Sequence, residues 1–118
     1  MKYLITTTVE PDLVRVTTTG EYVFEELPGF INELRTIAVA NARSKILIDC
    51  RQLDIDISEA ERFVGGQKIA EVFGSKIKAA LVMPEGKVTK LGELAAVNRG
   101  AQFLVTTSES EALKWLAR

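Results

Sequence analysis

Apolar and polar residues alternate at two different periods along the chain, and the switches between them mark the elements. Residues 3–9 and 13–19 are rich in β-branched side chains and read as two strands. Glu10, Pro11 and Asp12 between them supply turn chemistry, so the pair forms a hairpin. In the second strand Val14, Val16 and Thr18 share one face, while Arg15, Thr17 and Thr19 share a wetter or only partly covered one. Gly20 ends that strand. The pattern then changes to a helical period, with Leu27, Ile31, Leu34 and Ala38 on one stripe. Pro28 places the helix start at about residue 25 or later, since proline is tolerated best in a first turn, and the helix runs to about Ala42.

Residues 45–50 form a third strand, whose run Ile46-Leu47-Ile48 predicts burial on both faces, as in a parallel sheet. A second helix opens at Ser58, where Ser58 and Glu61 make a capping-box pair, and ends at Gly74. Its inward stripe reads Phe63, Gly66, Ala70 and Phe73; Glu61, Val64, Gly65, Lys68 and Val72 fall on the other side. Residues 77–83 form a fourth strand. A third helix turns Leu91, Leu94 and Ala95 inward. Residues 101–106 form a fifth strand, and Ser108 with Glu111 repeats the capping-box pattern before a last helix carrying Ala112, Trp115 and Leu116. The order β-β-α-β-α-β-α-β-α describes an α/β fold with a mostly parallel five-stranded sheet, an antiparallel first strand at its edge, and four helices. Residues 1–118 read as one domain, without linker or low-complexity segment.

Composition narrows the function classes. Apolar residues make up 47% of the chain, enough for a core, and 15 basic residues nearly balance 16 acidic ones. No basic excess exists to neutralise phosphates, so a nucleic-acid partner is not expected. The apolar run Ala79–Met83 is far too short to span a bilayer. The single cysteine, Cys50, fits a reducing compartment, and the expected location is cytoplasmic. Histidine is absent, which removes the commonest general base and metal ligand. There is no cysteine cluster and no glycine-rich phosphate loop, so no cofactor and no catalytic residue is assigned. Gly65-Gly66 sits inside a helical stripe and reads as close helix packing, with a flexible, binding-responsive helix as the alternative.

Two regions remain as binding candidates. Ligands in open α/β folds collect at the carboxyl edge of the sheet, where Asp49, Arg51, Gln52, Asp54, Asp56 and Ser58 follow the third strand and Glu85 and Lys87 the fourth. Helix capping by Asp56 and Ser58, or pairing of Arg51 with a local acid, would account for the same residues. The second candidate is the outer side of the second helix, with Glu61, Val64, Lys68 and Val72, where a partner could sit.

Several strings resemble the STAS superfamily, in its SpoIIAA-like branch. They are Gly20-Glu21 after the second strand, Ile46-Leu47-Ile48-Asp49, and Phe103 to Leu116 with its Glu111-Ala112-x-x-Trp115-Leu116 ending. The resemblance covers nearly the whole chain. It implies sequential strand order, a non-enzymatic regulatory role of bacterial type, and a kinase-like or other protein partner. It further implies a switch by phosphorylation of a serine at the start of the second helix, where Ser58 stands. The family's Asp-Ser-Ser-Gly reads here as Ile57-Ser58-Glu59-Ala60, and Glu59 would repel an added phosphate. The branch is also similar in fold to lipid-carrying Sec14-type domains, so a carrier or sensor of a small apolar or acidic ligand is the alternative. A carboxylate-based enzyme near Asp49 is the third. A homodimer through the first strand or the Arg15–Thr17 face is a further expectation.

Overall fold

The computed structural model describes residues 2–118. Among these residues five strands form one sheet: β1 (Tyr3–Val9), β2 (Val14–Glu21), β3 (Lys45–Asp54), β4 (Lys78–Val82) and β5 (Gln102–Thr106). They lie side by side in chain order, β1 antiparallel to β2 and the rest parallel. The helices are α1 (Leu27–Ala40), α2 (Glu59–Phe73), α3 (Leu91–Val97) and α4 (Glu109–Leu116), with a short 3-10 turn, Phe24–Glu26, leading into α1. This is the α/β architecture that the alternation of periods predicts.

Strand order decides where the helices go. Three successive parallel crossovers, all right-handed and all stepping the same way, place α1, α2 and α3 on one face. Their side chains join Val14, Val16, Ile46, Ile48, Phe103 and Val105 in the main core. Only α4, which follows the last strand, is left for the other face. There Ala112 and Leu116 meet Leu13, Leu47, Ala80 and Val82 in a second, smaller cluster. The central strand β3 is thus buried on both sides, Ile46 and Ile48 towards α1–α3 and Leu47 towards α4, as its apolar run requires.

Local signals set most boundaries. Ser58 accepts from the Glu61 amide at 3.1 Å and Glu61 Oε1 accepts from the Ser58 amide at 3.3 Å, a complete capping box. At α4 only half of the repeated pattern forms, with Ser108 accepting from the Glu111 amide. Helix α1 ends at Ala40, two residues earlier than its pattern suggests, and Ala42 turns to a positive φ of 54°. β3 runs four residues past Cys50, through a bulge: Thr17 pairs with Asp49 but Thr19 with Gln52. The extra residue turns Leu53 back into the main core, although Asp49 points to the opposite face.

Two inward stripes differ from the simple helical reading. On α2 the buried residues are Gly66, Ile69 and Phe73, while Phe63 is 37% exposed. On α3 Ala95 and Ala96 are buried and Leu94 is 52% exposed. One cause explains both. Gly66 and Gly92 bring the two backbones so close that a Cβ built on Gly66 would lie 2.2 Å from the Gly92 carbonyl oxygen. Only glycine and alanine fit between the helices, so the bulkier Phe63 and Leu94 are displaced outward.

Candidate functional site

The carboxyl-edge residues divide between the two faces of the sheet. Asp49 and Arg51 project on the α4 side and hold each other in a fork, Nε–Oδ1 2.9 Å and Nη2–Oδ2 2.8 Å. Arg51 also reaches Glu109 of α4 at 3.4 Å, and Arg15 joins Glu109 at 2.5 Å and Glu10 at 2.7 Å. The chain of charges Glu10–Arg15–Glu109–Arg51–Asp49 therefore ties β2 and β3 to the start of α4. Pairing of Arg51 with a local acid is what the structure adopts. The face bearing Arg15, Thr17 and Thr19 is half-buried, and Arg15 is covered from α4.

Arg51 holds the Asp49 carboxyl below its ordinary value of 3.8, chiefly through its side-chain hydrogen bond. A depressed folded-state pKa stabilises the fold above the unfolded value and loses that contribution as pH falls through the lower folded one. Stability of the wild type should drop on going from about pH 5 to about pH 2, and Asp49→Asn should flatten part of that drop. Urea midpoints across this range check it; parallel curves for the two proteins would refute the assignment.

Ser58 lies on the opposite side of the sheet, exposed at the N-cap of α2, and its hydroxyl is engaged in the capping box. Gln52 and Asp56 are exposed, and no hydrogen bond joins them to Asp49, Arg51 or Ser58 among the described residues. The outer side of α2 also divides. Val64 is 40% exposed, but Val72 packs against the main core. Glu61 is half-buried and accepts from the Tyr22 hydroxyl at 3.3 Å. Gly65 faces Leu27 of α1, and Lys68 pairs with Glu71 at 3.5 Å. The pattern assigned the far side of α2 to solvent because periodicity cannot see a neighbouring helix, and α1 occupies part of that side.

Cys50, 3% exposed, is a thiol whose pKa burial pushes up to about 12. Such a group is a small hydrophobe and a poor nucleophile.

Sequence patterns gave no sign of a cavity, yet one of ≈ 120 Å³ lies between the sheet and α1–α3. Its wall includes Ile48, Leu53, Ile69 and Met83, together with Thr18 and Arg62. Thr18 is 1% exposed, and its hydroxyl has no nitrogen or oxygen partner among the described residues; beside it lies only the Cys50 thiol, a weak partner. The Arg62 side chain is 11% exposed; it approaches Glu59 at 3.3 Å, outside hydrogen-bonding geometry for its buried Nε. An arginine in the first turn of a helix reads in sequence as a surface residue, and no local pattern marks this one as buried.

No family model and no curated protein matches the chain. Solved structures do. The crystal structure of an anti-sigma factor antagonist from Mycobacterium paratuberculosis superposes with a TM-score of 0.66 at 15% identity, covering 98% of this chain and 95% of that one. An uncharacterised protein of the DUF3478 family from Shewanella loihica, described as having a SpoIIAA-like fold, gives 0.56 at 18% identity, over 97% and 93%. The chain has a SpoIIAA-like fold. Within this SpoIIAA-like frame Ser58 caps the helix that follows the third strand, with Glu59 and Glu61 in the same turn. No helix among the described residues is long and apolar enough to cross a membrane.

Proposed function

We propose that this chain is a non-catalytic binding module that regulates a protein partner through the outward side of α2 and α3. The observation that carries the reading is the distribution of exposed apolar side chains. Of eight large ones among the described residues, Phe63 and Val64 lie on α2, and Leu94 and Val97 on α3. These two helices are clamped together at Gly66 and Gly92. Apolar groups displaced outward on a rigid helix pair are a natural docking surface. The fold shared with an anti-sigma factor antagonist supports a regulatory partner, of which a kinase-like protein is the leading type. Ser58 stands at the edge of the same surface as the candidate modification site, with Asp49 and Arg51 on the far face left to hold α4.

Val64→Asp should leave the thermal midpoint within about 2 °C, as exposed substitutions do, and abolish capture of the partner. The comparison is affinity capture by wild type, by Val64→Asp and by Thr6→Asp, which lies on exposed β1. A partner kept by wild type and Thr6→Asp but lost by Val64→Asp supports the surface. Retention by Val64→Asp would sink it. Val72 is unsuitable for this test, since a charge there would enter the core.

A further inference from the structure

The cavity under α2 combines features that rarely occur together. Dry cavities are lined by apolar atoms, and wet ones supply several polar partners to each water. Here an apolar wall carries two incompletely met polar groups: the Thr18 hydroxyl, beside only the weakly bonding Cys50 thiol, and the buried Arg62 Nε, which approaches Glu59 as an ion pair but makes no hydrogen bond among the described residues. Buried polar groups ordinarily find partners, and leaving them unpaired costs stability that a ligand can recover. A guanidinium only donates, and a hydroxyl can donate, so the complementary group is an oxygen acceptor.

Size limits the remainder. A cavity of about 150 Å³ accommodates benzene. The ≈ 120 Å³ here suits a single ring or a short branched chain and is too small for a fatty acyl tail. Charge at the wall is mixed, because Glu21 and Glu26 also contribute to the lining.

We propose that this cavity is a binding site for a small, mainly apolar molecule of ring size bearing one carbonyl or carboxylate group, which the Arg62 and Thr18 donors receive. With two carboxylates against one guanidinium, the neutral carbonyl is favoured. The site is interior to α1, α2 and the sheet, whereas Val64 points outward, so it stands or falls separately from the partner surface.

The full chain is titrated with acetophenone, benzoate and toluene, following the methyl resonances of Ile48 and Ile69, with Leu47 and Leu116 of the second cluster as controls. Acetophenone or benzoate should shift the first pair saturably and leave the controls still; which of the two binds reports whether the ligand is neutral or charged. Each oxygen-bearing binder should exceed toluene by about 10-fold in affinity, a margin that one hydrogen bond to a charged group supplies. Thr18→Val and Arg62→Met should erase that margin while toluene binding is kept. Ile57→Trp, at the half-buried rim, should block all three, and the unchanged Leu47 and Leu116 resonances would show that the second cluster stays intact. The proposal is overturned by the absence of saturable shifts with any probe. It is equally overturned by equal binding of toluene and the oxygen probes, or by Arg62→Met and Thr18→Val variants that fold and bind unchanged.

Discussion

Gly66→Ala should destabilise the protein by about 3 kcal/mol, at the upper end of overpacking costs, and lower the thermal midpoint by roughly 10 °C. An added methyl carbon would sit 2.2 Å from the Gly92 carbonyl oxygen and 2.9 Å from the Ala95 Cβ. The first obstacle is backbone, which cannot rotate away, so α2 and α3 must separate. Gly65 offers an internal control. A Cβ there meets only Leu27 Cδ2 at 3.4 Å, and alanine is a better helix former than glycine by about 1 kcal/mol. Gly65→Ala should leave stability equal or raised. Chemical denaturation of both variants decides the matter, and equal losses would mean that the two glycines serve flexibility instead of contact.

Leu116→Ala should cost about 3 kcal/mol and act first on α4. Leu116 is 1% exposed and belongs to the cluster of six buried residues under that helix. An eight-residue helix has no stability of its own, so its apolar anchor and its end contacts must hold it. The contacts are specific: Lys78 Nζ donates to the Trp115 carbonyl at 2.7 Å and to that of Arg118 at 3.1 Å, and lies 4.7 Å over the Trp115 ring. Hydrogen exchange should therefore accelerate in α4 before it does in α1 or α2. Uniform acceleration across the chain would show that α4 unfolds only with the whole.

The SpoIIAA-like fold was largely legible before the structure, because its cues are local. The Ser58–Glu61 box, the turn at Glu10–Asp12 and the double-sided apolar run at Ile46–Ile48 each act within a few residues. The candidate site was less so. Asp49, Arg51 and Ser58 are close in sequence and belong to different faces, since the pleat, the bulge near Gln52 and the turn into α2 intervene. Val64 and Val72 share a helical stripe, but only Val64 is free of a neighbouring element. Arg62 and Thr18 are forty-four positions apart and share a cavity wall, which no short-range pattern can express.

The amino-acid sequence by itself determined the number, kind and order of the elements, because backbone propensity, capping and side-chain period depend on near neighbours. Only the tertiary structure decided which sides of those elements meet. Close approach at Gly66 and Gly92, the charge chain beneath α4, and a cavity walled by Thr18 and Arg62 all arise from distant residues brought together by packing.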